Sequence, residues 1–411
     1  MTDWAKKPLL AALMTRGAAI ALARRVLIRL SLRAAVPPTW RRPAGPHPVG
    51  VRDAVISDLG PTAADGAVRI WYPAVAGTGG EARAYFGDRE EQRTMVRGLS
   101  PLLTAPGTRA LGARRTASRR DAVPATTSAP VVLFSHGFTG FVGQNTHLCE
   151  HLASAGYLVV SVAYPGAAAA IAAPDGSERV MTAKERRRLT TPEFLRTFLD
   201  LVTARTTTAE DAALARAATI DALAAENARW ARHLSAVLDA LLSAAQRVRR
   251  VDAATCAALD PADWSRVALV GMSFGGSTSA NVAQVDPRIS AAVNLDGLQQ
   301  GELLRLRDAR VPMLVMSSSG SRLRSGRVIT DLHYEARESR AAVQRVFVPD
   351  ARHHAFTDLV EFGEGPVRRL LDLGTIDAER MLDLVADTTL DFLDATLRPA
   401  VSSSAEGRAR R

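Results

Sequence analysis

The spacing of hydrophobic and polar residues changes period repeatedly along the chain. Val131-Val-Leu-Phe-Ser135, introduced by Pro130, is a short apolar run with no polar alternation. Tyr157 to Ala163, Val267-Ala-Leu-Val270, Ala291 to Leu295, Val311 to Met316 and Gln344 to Val348 repeat that form. Runs of this length and uniformity suit strands buried on both faces of a parallel sheet. Between them the period becomes helical, over His147 to Ala155, over Glu226 to Gln246 with Trp230, Leu234, Val237 and Leu241 on one side, and over Met381 to Leu397 after a capping-type pattern at Thr375-Ile-Asp-Ala-Glu379. Strand and helix in this alternation predict an α/β fold with a mostly parallel sheet covered by helices on both faces.

Other segments are read by exclusion. Ala67-Val-Arg-Ile-Trp-Tyr72, the first folded segment expected after Pro37-Pro38, alternates and stops at Pro73, so it reads as an early strand. Thr104 to Pro130 is Ala, Arg, Thr, Ser, Gly and Pro with little periodicity, which predicts a long surface loop. Residues 166–225 have helical composition, including Pro192 to Val202, and no strand signal, so a helical insertion placed as a lid is expected there. The expected organisation is a basic extension over 1–45, one folded body over 46–400, and a disordered basic tail over 401–411. No internal repeat is evident.

Composition narrows this reading only slightly. Hydrophobic residues at 47% and charged ones at 23% are ordinary for a globular chain of 411 residues. The net charge of +10 would suggest a polyanion partner if it were spread over the body. Instead, residues 1–45 hold nine Lys or Arg against one Asp, and the segment from Val401 holds three Arg against one Glu, so the body is neutral and no nucleic-acid partner is expected. Cys149 and Cys256 have no metal or redox spacing and are expected to be buried thiols.

Near the N-terminus, Lys6-Lys7 and the apolar run Pro8 to Met14 begin like a secretory signal, but Arg16 interrupts it. Arg25, Arg29 and Arg33 share one side of a helical projection, with Val26, Leu27 and Leu30 on the other. Residues 9–36 therefore read either as a basic amphipathic helix lying on a membrane, or as a helix packed on the body or a disordered tail. The expected location is cytoplasmic or peripherally membrane-associated, with secretion left open.

The candidate chemistry centres on Gly271-Met-Ser-Phe-Gly275. Gly-x-Ser-x-Gly arises easily by chance, but here it follows an apolar strand and precedes a stretch able to start a helix, the setting of a nucleophile elbow. The plain alternative is a serine in an ordinary Gly-rich strand-to-helix loop. A serine hydroxyl needs an imidazole to take its proton and a carboxylate to orient that imidazole. His353 and His354 stand behind the last core strand, and spacing alone does not choose between them. The loop after Val311 to Met316 reads Ser-Ser-Ser-Gly-Ser-Arg-Leu-Arg, with no carboxylate before Asp331, whereas the preceding strand runs directly into Asp296-Gly297. Asp296 is therefore the expected acid, the alternative being an Asp that closes its own turn. Ser135-His-Gly-Phe-Thr-Gly140 follows its strand where one oxyanion donor belongs, so the amides of Phe138 and Phe274 are the expected pair, with His136 shaping the loop. No metal or cofactor is expected.

Taken together, Val68-Arg-Ile-Trp-Tyr-Pro-Ala74, Leu133 to Phe138, Gln144-Asn-Thr146, Leu152 to Tyr157, Gly271 to Gly276, Asn294-Leu-Asp-Gly297 and His353 to Asp358 resemble the platelet-activating-factor acetylhydrolase group of α/β hydrolases, including its bacterial members. The resemblance spans about residues 50 to 398 and implies the α/β-hydrolase fold. The family pattern His-x-x-Phe-x-Asp selects His353, and the family places its acid after the earlier strand, as at Asp296. The chain departs from it at Ala163-Tyr164, where relatives commonly carry an acid and a histidine, and in the individual helical insertion.

The expected function is hydrolysis of a carboxyl ester through an acyl-enzyme, with a hydrophobic ester or short-acyl phospholipid as substrate and peripheral membrane contact through the N-terminal segment. Two alternatives stand beside it: amide or polyester hydrolysis by the same residues, and a non-catalytic membrane- or protein-binding module on a hydrolase scaffold.

Overall fold

In the computed structural model, the apolar runs form the centre of a ten-stranded sheet. The structure describes residues 40–398 apart from 57, 60–62, 101–104, 127, 247–250, 302, 304–308, 335–341 and 363–364, so the expected helix over 9–36 and tail over 401–411 lie outside the described residues. The strands are β1 (Val49–Val55), β2 (Ala67–Pro73), β3 (Ala82–Ala84), β4 (Arg115–Arg120), β5 (Ala129–Ser135), β6 (Leu158–Val162), β7 (Ala170–Ala172), β8 (Glu178–Val180), β9 (Ala262–Met272), β10 (Ile289–Leu295), β11 (Met313–Ser318) and β12 (Val343–Val348). Their order in the large sheet is β12-β11-β10-β9-β5-β6-β2-β1-β4-β3. From β6 to β12 all neighbours are parallel, and β2 joins β6 antiparallel. This is the α/β-hydrolase arrangement.

The central strands are buried along their whole length in β5, β6 and β11, because helices cover both faces. Val131 and Leu133 face Trp230, Leu234 and Leu238 of the helix Asp221–Ala245. Val132 and Phe134, one residue out of phase, face Leu152 of Thr146–Ser154 and Leu393 of Ala378–Leu397. Each such side chain contributes about 1.5–3 kcal/mol by leaving water. The last helix is capped by Asp377, whose carboxylate accepts the Arg380 amide at 3.0 Å, rather than by Thr375.

Three expectations about the rest are corrected. Ala67 to Tyr72 is an early strand as expected, β2, but β1 is folded before it, and the segment read as a surface loop contains the helix Ala105–Gly112 and strand β4. The inward positions of β4 are Thr116 and Ser118, whose hydroxyls bond the Arg83 carbonyl and the buried carboxylate of Glu150, so apolar alternation is absent by construction. The edge is tied by charge as well: Arg69 and Arg83, both buried, each bridge Asp53 and Glu91 at 2.6–2.8 Å. Finally, the insertion holds the small hairpin β7-β8 before its helices Ala183–Arg187, Pro192–Thr203 and Thr207–Ala218.

Candidate active site

Ser273 sits between β9 and the helix Phe274–Val285 with φ 56° and ψ −122°. A non-glycine residue there stores about 1–3 kcal/mol of strain, which the surroundings must hold in place. They do so through the Ser273 amide, which donates to the Leu295 carbonyl at 2.8 Å, and through the Ser277 amide, which donates to the Ser273 carbonyl at 3.1 Å. Gly275 permits the helix to start against β5, since a Cβ there would stand 2.3 Å from the Ser135 carbonyl oxygen. The strand-turn-helix therefore raises the hydroxyl above the carboxyl end of the sheet.

The structure brings three of the expected residues into one hydrogen-bonded series. His353 Nε2 lies 2.9 Å from Ser273 Oγ, and His353 Nδ1 lies 2.7 Å from Asp296 Oδ2. His354 turns away, with Nδ1 bonded to the Leu371 carbonyl at 2.8 Å. Asp296 does not close its own turn. Asn294 does that, accepting the Gly297 amide at 2.8 Å, while the Asp296 carboxylate faces other segments. It accepts the Ser318 amide at 2.7 Å, the Ser318 hydroxyl at 2.9 Å and the Ser321 hydroxyl at 3.0 Å. Sequence reasoning passed over Ser318 and Ser321, and the run of hydroxyls directly behind β11 was the available signal.

Charge in the site follows from burial and partners. Burial works against protonation of His353, but the bond to Asp296 and the negative charges of Asp296 and Asp372 outweigh it and raise its pKa above the ordinary histidine value. Burial pushes His136 down to about 4, so it is neutral near pH 7. Its Nδ1–H donates to the Gly137 carbonyl at 2.7 Å and its Nε2 accepts the Tyr164 amide at 3.3 Å, joining the ends of β5 and β6. At the point of departure from the family pattern, the Tyr164 ring stacks on Trp230 at 3.8 Å and its hydroxyl meets Ser135 Oγ at 2.7 Å.

The rings of Phe138 and of Phe274, the residue after Ser273, lie 6.4 Å apart. Among the described residues, no acceptor is bonded to the amide of either. A three-residue stretch, Gln144 to Thr146, fastens both sides of the site. Gln144 Oε1 accepts the Gly137 amide at 3.2 Å, and the Gln144 carbonyl accepts the Asp358 amide at 3.1 Å. Asn145 Nδ2 donates to the Phe356 carbonyl at 2.6 Å, and the Thr146 amide donates to Asp358 Oδ2 at 2.6 Å. A hydroxyl beside an imidazole, a buried carboxylate behind that imidazole and two unclaimed amides suit addition to a carbonyl group. Among the described residues, no group of three or more His, Cys, Asp or Glu could hold a metal ion.

Residues 36–402 match the family model described as platelet-activating factor acetylhydrolase, isoform II. Comparison with curated protein sequences gives no match. Among solved structures, the chain is similar to a ferulic acid esterase from Streptomyces cinnamoneus, with a TM-score of 0.63 and 23% sequence identity over 88% of this chain and 94% of that one. At that identity the likeness is one of fold.

Proposed function

The chain belongs to the platelet-activating factor acetylhydrolase, isoform II, family, and from that premise we propose that it hydrolyses carboxyl esters through an acyl-enzyme on Ser273. Membership makes it a carboxylic ester hydrolase. The observation that carries the finer reading is the unbroken series Ser273 Oγ, His353 and Asp296 at 2.9 and 2.7 Å.

In this reading Ser273 Oγ attacks the ester carbonyl carbon while its proton passes to His353 Nε2. Asp296 keeps the proton on Nδ1 and stabilises the imidazolium. The carbonyl oxygen, now an oxyanion, accepts from the amides of Phe138 and Phe274. Collapse breaks the ester bond, and the alcohol leaves with the proton from His353. Water then gives a proton to His353 and attacks the acyl-serine. The second collapse releases the carboxylic acid and restores Ser273. Each amide is worth on the order of 2.7–4 kcal/mol in the transition state if it behaves like measured oxyanion donors.

The proposed substrate is a hydrophobic or short-acyl ester, including phospholipid esters, as the family's description suggests. The test is a panel of short- and long-acyl esters and lysophospholipids, run on wild type and Ser273→Ala with fluorophosphonate labelling in parallel. Turnover and labelling should both vanish in the variant. Undiminished labelling would overturn the assignment.

A further inference from the structure

We infer that the insertion controls the geometry of Asp296, with Glu210 as a positioning residue acting through the segment Ser318 to Val328. The inference rests on the reading of Asp296 as the acid that supports His353 in ester hydrolysis.

The segment has a root and a tip. At the root, Ser318 and Ser321 give three hydrogen bonds to the Asp296 carboxylate. Ser319, between them, donates its amide and its hydroxyl to the Ala351 carbonyl at 3.0 and 2.7 Å, two residues before His353. The root therefore braces the acid and the approach to the base. Beyond it the chain folds into a tight hairpin, with Arg322 paired to Val328, the Leu323 amide donating to the Arg327 carbonyl at 2.8 Å, and Gly326 turning back on Leu323 at 3.0 Å.

The tip is clamped by the insertion helix Thr207–Ala218. Glu210 accepts the Ser325 amide at 3.0 Å, the Ser325 hydroxyl at 2.6 Å and Arg327 Nη2 at 2.9 Å. The same guanidinium reaches Asp211 at 2.9 Å and the Thr207 carbonyl at 3.2 Å. Beneath the clamp, Leu323 and Ile329 pack on Leu201, Ala213 and Leu214. A buried carboxylate is tolerated only when its acceptor sites are filled, and Glu210, with 2% of its side chain exposed, has hairpin donors filling them. A tight hairpin fixed at its tip transmits displacement to its root, where the acid is held. Misplacing a reacting constellation by about 1 Å costs on the order of a hundredfold in rate.

The test compares Glu210→Ala, Glu210→Gln, Ser321→Ala and the double variant Glu210→Ala/Ser321→Ala on one ester turned over by wild type. Glu210→Ala should lower kcat by about ten- to a hundredfold with KM within about twofold, because ground-state binding is untouched. Its acid limb should move to lower pH, since a displaced Asp296 supports the charged His353 less. Glu210→Gln keeps an acceptor for Ser325 and should recover most of the rate. The double variant should lose little more than the larger single loss, which is the signature of coupling. A change in KM alone, or single losses that multiply independently, would overturn the inference. If Glu210→Ala does not fold, Ser325→Ala takes its place in the cycle and removes the hydroxyl contact alone. The functional reading fails separately, by continued labelling of Ser273→Ala.

Discussion

Asp296, just past the end of β10, accepts both the amide and the hydroxyl of Ser318, the last residue of β11, at 2.7 and 2.9 Å. The acid and its support thus come from neighbouring parallel strands. The segment behind β11 has no carboxylate near the imidazole, and supplies the donors that hold the carboxylate of the strand beside it.

Replacing that carboxylate should reveal the burial it offsets. Asp296→Asn is expected to lower kcat on the order of 10⁴-fold, as in other triads whose imidazole loses its orienting acid. In wild type, activity should decline as pH falls through a value above the ordinary histidine pKa of about 6.5, because Asp296 raises His353. In the variant burial prevails, and the residual activity should persist to lower pH. A kcat/KM profile against pH for both proteins checks the sign.

The two adjacent histidines should separate cleanly. His353→Ala removes the group bonded to Ser273 and is expected to cost several orders of magnitude in kcat. His354→Ala removes a bond to the Leu371 carbonyl, worth about 0.5–1.5 kcal/mol of stability, and should leave kcat within a few-fold. Steady-state rates and urea unfolding of both variants decide this.

A single methyl group should disturb the site from behind. A Cβ at Gly297 would stand 2.2 Å from the Ser273 carbonyl oxygen and 2.4 Å from Asn294 Oδ1, so backbone must shift beside both Ser273 and Asp296. Gly297→Ala is expected to lower kcat on the order of a hundredfold, and its thermal midpoint should fall. Active-site titration with a fluorophosphonate separates slow enzyme from unfolded enzyme.

Far from the chemistry, Arg83→Met should act on stability alone. It leaves the half-buried Asp53 and Glu91 with Arg69 as their one remaining partner in the cluster, which is expected to cost about 1–3 kcal/mol. Denaturant unfolding measures this loss, and KM of the folded fraction should be unchanged.

What could be read from the sequence follows a physical division. Strands buried on both faces, such as β5 and β6, are apolar throughout, so their pattern is visible without context. β4 is not, because Thr116 and Ser118 face inward toward Arg83 and Glu150, partners distant in the chain. β1 is similarly masked: Arg52 and Asp53 interrupt its apolar residues, and Asp53 belongs to the ion cluster. At the site, Ser273, Asp296 and His353 stand behind recognisable strands, where a residue's place in the topology can be inferred from its own neighbourhood. Ser318 and Ser321 matter only because β10 and β11 are adjacent, and Glu210 only because the insertion packs on a hairpin more than a hundred residues later.

Gln144 and its two successors fasten the Gly137 loop on one side and the residues just after His353 on the other. In the proposed reaction, the amide that follows Gly137 and the His353 imidazole therefore share one foundation, while Ser273 stands on another, anchored through Leu295. A substitution at Gln144 or Asn145 would therefore be felt on both sides at once, in the Gly137 loop and in the segment after His353.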